Sequence, residues 1–246
     1  MIVAQENVNS SEQSQNKVNN KKTQLAGLNY YKSGSKIEDA KIILILLHGY
    51  AAPSNALLPV GKKLFYNQDA RYMAHFMSCL YPAGPIEAYE GGLAWSELNG
   101  EGFVQSQAKL TSFVTKVHEI NPSAKIIVGG FSQGAIMTLN LMAKELDFIK
   151  GYALFAPANM MLDKPKGIKL KPVFMTHGRK DKVLQFSESL AIKRYLEGKK
   201  YPVTWAPHDE GHILEEKSLK SFEVFIKGLL EEGEHAFLKQ EYAAQE

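Results

Sequence analysis

The stretch from Ala124 to Glu145 constrains this chain more than any other. Lys125 to Val128 is a short apolar, β-branched run ending in Gly129-Gly130, the pattern of a buried strand that meets a tight turn. From Ser132 onward Ala135, Ile136, Leu139, Met142, Ala143 and Leu146 recur at intervals of three and four, so the chain leaves the turn as a helix. Met137 and Leu141 make that helix apolar nearly all round, which predicts full burial. Strand, sharp turn and helix around Gly130-Phe131-Ser132-Gln133-Gly134 is the context that lifts a serine hydroxyl out of a sheet. Glycine flanks the serine because a Cβ at either place would collide where backbone and helix close on each other. The N–H of Gln133 then lies at a helix N-terminus, where the dipole favours negative charge, and reads as one donor of an oxyanion hole.

A serine hydroxyl is a poor nucleophile at neutral pH and needs a base, which needs a third group to fix its tautomer. Seven histidines compete for the first role. His212 stands out by position, in the loop Asp209-Glu210-Gly211-His212-Ile213 between the last strand and the final helix. Asp181 follows the strand Pro172 to Thr176 and supplies the acid, giving the chain order Ser132, Asp181, His212 expected of a nucleophile on a parallel α/β sheet. Asp209 and Glu210 remain rivals for the acid, being nearer in sequence. His48 and His177 each precede a glycine at a strand end and read as turn-stabilising residues. His208 and His212 have the spacing of paired metal ligands on a helix, but Pro207 and Gly211 argue against a helix there, so no metal is expected. The second oxyanion donor is expected from the loop after Lys41 to Leu47, with the N–H of Tyr50 the first choice and Ala51 its neighbour.

Elsewhere strands and helices alternate. Leu28 to Lys32 is expected as a first strand turning at Gly34, Lys41 to Leu47 as a central strand buried on both faces, and Met73 to Leu80 as the next strand. Residues 54 to 66 are weakly helical, Gly84 to Gly102 is expected as a loop over the sheet edge, and Phe103 to Ile120 is helical until Pro122. Strands at Tyr152 to Phe155 and Val203 to Trp205, a helix at Ser187 to Leu196 with Gly198 as its C′ residue, and a last helix at Leu214 to Leu230 complete the order. The expectation is an α/β fold, a mostly parallel central sheet with helices on both faces, whose ligands sit off the carboxyl ends of the strands. Apolar loop residues Leu57, Leu58, Met160 and Met161 are candidates for an acyl pocket.

Of the 246 residues, 45% are hydrophobic, enough for one domain with a sizeable core. Residues 1 to 24 are a polar extension expected to be disordered, 25 to 230 the folded domain and 231 to 246 a polar tail. A net charge of +3 makes no case for nucleic acid, and the basic run Lys164 to Lys171 reads as a solvated loop. Cys79 is the single cysteine and falls in an apolar run, so a buried thiol in a reducing compartment is expected. No run approaches the ~18 apolar residues of a membrane span, no secretory signal is visible, and the expected address is cytoplasmic.

Taken together, Leu46-Leu47-His48-Gly49-Tyr50, Gly129-Gly130-Phe131-Ser132-Gln133-Gly134, His177 to Val183 and Glu210-Gly211-His212 resemble the α/β-hydrolase superfamily. Within it they are similar to the phospholipase/carboxylesterase group that includes the acyl-protein thioesterases. The resemblance spans about Leu28 to Leu230 and implies a hydrolase of carboxylic esters or thioesters, with Ser132, Asp181 and His212 as the triad and the amides of Tyr50 and Gln133 as the oxyanion hole. It also implies a small acyl ester, thioester or lipid as substrate, no cofactor and no nucleic acid; a homodimer is compatible with it. Gly91 to Trp95 looks like a glycine-tryptophan segment that would put Trp95 in the acyl pocket. Tyr50-Ala51-Ala52 departs from the Leu-Gly-Asp that thioesterases of the group carry after His-Gly. A lysophospholipase is the alternative within enzymes, and a catalytically silent binding protein on the same fold is the alternative outside them.

Overall fold

In the computed structural model of the protein, residues 23–66, 73–161 and 163–229 are described. Ten strands and six α-helices are distinguished among them. In chain order they are β1 (Thr23–Leu25), β2 (Leu28–Gly34), β3 (Ile42–Leu47), α1 (Leu58–Tyr66), α2 (Met73–Phe76), β4 (Met77–Pro82), β5 (Ile86–Glu87), β6 (Leu93–Ala94) and α3 (Phe103–Ile120). There follow β7 (Lys125–Phe131), α4 (Gln133–Met142), β8 (Ile149–Phe155), β9 (Val173–Thr176), α5 (Phe186–Gly198), β10 (Val203–Trp205) and α6 (Glu216–Gly228).

Eight strands form one sheet in the order β1-β2-β4-β3-β7-β8-β9-β10. β1 and β2 run antiparallel, and every pairing from β4 to β10 is parallel. After β3 the chain moves outward to β4 on one side, then crosses to β7 on the other. The sheet therefore has its switch point between β3 and β7, where the loops leaving two adjacent strands part and open a crevice.

Alternation along the strands sorts the core into two layers. Ile43, Ile45 and Leu47 of β3, with Ile126 and Val128 of β7, face Leu110, Phe113 and Val117 of α3 and the apolar residues of α4. Ile42, Leu44 and Leu46 face the opposite way, onto Leu57, Val60 and Leu64 and onto Phe222 and Ile226 of α6. All six residues of β3 are buried, as a strand covered on both faces requires. The ten residues of α4 are likewise all buried.

Several boundaries depart from the sequence expectation, each for a local reason. Met73 to Phe76 is a short helix, and the strand begins at Met77 where pairing with Ile42 begins. α4 ends at Met142 instead of running to Leu146, because Glu145 takes a left-handed φ of 48° and its carboxylate accepts the N–H groups of Lys166 and Ile168. Gly198 is the last helical residue of α5 and not its C′ residue; the left-handed position falls to Lys200 at φ 70°, which delivers Tyr201 into the core. Glu215 caps α6 through the N–H of Ser218, so that helix starts two residues later than Leu214. The segment from Gly84 to Gly102 carries the small antiparallel ribbon β5–β6. Thr23 and Gln24 pair with Tyr30 and Asn29, whereas the rest of the expected N-terminal extension and the tail 231–246 lie outside the described residues. Cys79 is buried and free, and burial pushes its thiol up to about 12. Among the described residues no helix is long and apolar enough to cross a membrane.

Candidate functional site

Ser132 sits between β7 and α4 at φ 55°, ψ −118°, a conformation that costs on the order of 1–3 kcal/mol and persists only where its surroundings over-determine it. The surroundings are backbone. A Cβ on Gly130 would lie 2.3 Å from the carbonyl carbon of Gly134, and one on Gly134 would lie 2.1 Å from the oxygen of Leu47. The Ser132 N–H donates to the Phe155 carbonyl (2.9 Å), and its own carbonyl accepts from Ala135 and Ile136, so the turn is tied to β8 on one side and to α4 on the other.

The loop leaving β3 lies alongside. A Cβ on Gly49 would be 3.4 Å from Cβ of Ser132, which puts His48 to Ala52 against the turn. Gln133, first residue of α4, has no helical carbonyl behind its N–H. The turn N–H of Ala52 folds back to Gly49 O (3.4 Å), and Ala51 adopts φ 54°, so the loop curls with Tyr50 at its crest. His48 braces it from beneath. Its Nδ1–H donates to Gly49 O (2.8 Å), and its Nε2 accepts the N–H of Gly84 (2.8 Å). Burial drives this imidazole down from 6.5 to about 4, against the smaller upward pull of the bond to Gly49, so it is neutral.

Trp95 belongs to the same brace. It is fully buried, its indole N–H donates to His48 O (3.0 Å), and its backbone N–H donates to Oε1 of Gln133 (2.8 Å). The Gln133 amide also donates to the carbonyl and hydroxyl of Ser96 (2.9 and 3.0 Å). The expectation that Trp95 lines an open acyl pocket is therefore corrected: its ring is core beneath the loop. Leu57 is corrected for the same reason, being 3% exposed in the layer under the sheet, and Leu58 packs half-buried against that layer. Met160 is exposed and Met161 packs against the α4 side of the core. A cleft of about 710 Å³ opens beside the β3 loop, lined by Tyr50, Ile86, Glu97, Leu98 and Glu101.

Asp181 and His212 meet at the ends of β9 and β10. The segments after these parallel strands continue as a ladder, with Arg179 N–H on His208 O (2.8 Å) and Lys180 N–H on Glu210 O (3.0 Å). Gly178 permits the approach, since a Cβ there would lie 2.2 Å from Gly211 O and 2.3 Å from Glu210 O. His212 Nδ1–H then donates to Oδ2 of Asp181 (2.6 Å), a carboxylate whose other oxygen accepts the N–H groups of Val183 (2.8 Å) and Leu184 (2.9 Å). Burial would raise this carboxyl, but the bond from His212 and those from Leu184 and Val183 outweigh it and hold it below 3.8. The rivals do other work: Asp209 pairs with Arg179 (3.1 Å), and Glu210 lends its backbone carbonyl to the ladder. His177, fully buried at the end of β9, also lies 3.1 Å from Oδ2 of Asp181.

The imidazole at 212 leans on the ring of Phe131, the residue before Ser132, with centroids 4.7 Å apart. No hydrogen bond joins the Ser132 hydroxyl to it among the bonds of the described residues. The side-chain role of Gln133 and the contact of His177 with Asp181 had no sequence signal of their own.

Comparison with known proteins agrees with this architecture. The phospholipase/carboxylesterase family model matches residues 30–230. The putative hydrolase MhqD of Bacillus subtilis is 28% identical over 182 residues, 70% of this chain and 86% of its own length. Acyl-protein thioesterase 1 of Debaryomyces hansenii is 34% identical over 112 residues, which are 42% of this chain and 47% of that protein. The crystal structure of esterase PE8 superposes with a TM-score of 0.70 at 20% identity, covering 82% of this chain and 99% of the esterase, and bears on the fold alone.

Proposed function

Because the chain belongs to the phospholipase/carboxylesterase family and is an esterase-type hydrolase, we propose that it cleaves carboxylic esters and thioesters through an acyl-enzyme on Ser132. The observation that carries this reading is the Asp181–His212 hydrogen bond of 2.6 Å, ending at a ring that touches the residue beside a strained, helix-capping serine. In the proposed sequence Ser132 Oγ attacks the acyl carbonyl while His212 Nε2 takes its proton. The oxyanion forms against the N–H groups of Gln133 and Tyr50, which need no reorganisation because one is a helix terminus and the other the crest of a braced loop. His212 returns the proton to the departing alkoxide or thiolate. Water then repeats the attack on the acyl-serine, again through His212, and releases the acid. Asp181 keeps the Nδ1–H tautomer and offsets the charge of the imidazolium.

The cleft beside Tyr50, open and lined by Ile86, Leu98, Glu97 and Glu101, supports entry of the substrate from that side. Similarity to an acyl-protein thioesterase supports including thioesters among the substrates. The test is hydrolysis of p-nitrophenyl butyrate and of butyryl-thiocholine by Ser132→Ala. A loss of about 10⁴- to 10⁶-fold in kcat is expected. A variant within tenfold of the parent on both substrates overturns the proposal.

A further inference from the structure

His177 Nε2 faces two oxygens that can only accept, the Leu184 carbonyl at 2.9 Å and Oδ2 of the Asp181 carboxylate at 3.1 Å. Nε2 therefore carries a proton. On the other side of the ring, Nδ1 lies 2.5 Å from the hydroxyl of Ser189, on α5, which donates to Pro157 O at 3.0 Å. The side chain is completely buried, and Phe186 meets its ring edge-on. Burial lowers the pKa of His177, against the raising effects of the Leu184 bond and of Asp181. An Nε2–H ring in this position spans three elements: the end of β9 that carries it, the 181–184 turn that it donates to, and α5 behind it.

Oδ2 of Asp181 is thus approached by two imidazoles, His212 at 2.6 Å and His177 at 3.1 Å, while the backbone N–H groups of Val183 and Leu184 hold Oδ1. Without His177 the Leu184 carbonyl would lose a buried donor, and Oδ2 would keep His212 as its one side-chain donor. The turn could then relax and the carboxylate rotate about its Cβ–Cγ bond, taking the acceptor away from Nδ1 of His212.

We propose that His177 is a positioning residue for hydrolysis: it locks the Asp181 turn and carboxylate so that Oδ2 stays aimed at His212. The proposal rests on the triad reading given above and assigns His177 no contact with substrate. Its effect passes entirely through Asp181, and that is what distinguishes it from a ring that only fills space.

A double-mutant cycle tests it, in the full-length chain with p-nitrophenyl butyrate as substrate. His177→Phe keeps the ring volume and removes the donor; it is expected to lower kcat by about 10- to 100-fold, with KM within about twofold, as a misaimed group near the chemistry does. His177→Gln retains an N–H donor and is expected to recover about tenfold of that loss. In an Asp181→Asn background, His177→Phe is expected to cost less than about threefold, because the group it acts on is already disabled. Ser189→Ala, which removes the hydroxyl behind Nδ1 with a smaller change of volume, provides a second route should His177→Phe not fold; its loss should likewise vanish in the Asp181→Asn background. Equal losses in both backgrounds, or an unchanged kcat in either single variant, overturn the proposal. If instead Asp181→Asn and Ser132→Ala both keep the parental rate, it is the triad reading that fails.

Discussion

Gly178→Ala places one methyl group between the two segments that bring Asp181 and His212 together. Its Cβ would stand 2.2 Å from Gly211 O and 2.3 Å from Glu210 O, where ordinary contact begins at 3.4 Å, and both atoms are backbone with no rotamer by which to yield. The ladder from His177 to Lys180 against His208 to Glu210 must open by about 1 Å, and a displacement of that size next to the reacting groups costs about 10²-fold in rate. Overpacking of this kind destabilises by about 1–3 kcal/mol, which in a domain of this length lowers Tm by roughly 2–12 °C. Steady-state hydrolysis of p-nitrophenyl butyrate and a thermal melt measure the two effects. Gly198→Ala serves as the matched control, since nothing lies within 4 Å of its added methyl and its φ is not positive; its rate should be unchanged. A Gly178→Ala enzyme within threefold of the parent in kcat/KM would show that the loop contact does not set the geometry of the pair.

Two further outcomes follow from the brace under the β3 loop. His48 has a folded pKa of about 4 against 6.5 unfolded, so the unfolded state binds the proton first as the pH falls. Stability should therefore be lost between pH 6.5 and about 4, by up to about 3 kcal/mol, and urea titrations at pH 7 and pH 4.5 should show a smaller difference in His48→Gln than in the parent. Equal differences would deny that His48 is buried neutral. Gln133→Ala removes the acceptor of Trp95 N–H and the donor to Ser96 while keeping the backbone N–H at the helix start. A loss of about tenfold in kcat/KM, from loosening of the loop that packs under Tyr50, is expected in the same ester assay, and parental kinetics would count against the brace.

The elbow was legible because three independent signals coincide there, a β-branched strand, two glycines at fixed offsets and an all-apolar helix, and each survives in the structure. Asp181 and His212 were legible from chain order and from their places after strands; their meeting depends on Gly178, whose close approach to Gly211 O no local pattern announces. Trp95 and Leu57 were misplaced because a large apolar residue in a loop reads the same whether it faces a cleft or the core. Full burial and the partner of the indole N–H tell that Trp95 points inward. His177 read as a turn residue because its neighbour on the carboxylate lies four positions on across an irregular turn, outside any helical or strand periodicity. β1 is three residues of polar or mixed character and was invisible for want of alternation. The ends of α4 and α5 moved because Glu145 and Lys200 accept left-handed backbone where sequence reasoning reserved it for glycine.

The position of the switch point divides the machinery unequally. Gly49 and Ser132 stand at the tips of two strands zipped together over six successive registers, from Ile42 opposite Lys125 to Leu47 opposite Gly130, so their separation is a property of the sheet's middle and cannot be tuned without re-registering it. The carboxylate and the imidazole arrive from the far margin, on segments following a four-residue and a three-residue strand. Insertions at the margin or between β4 and α3 can therefore reshape the surroundings of the crevice while Gly49 and Ser132 keep the same spacing.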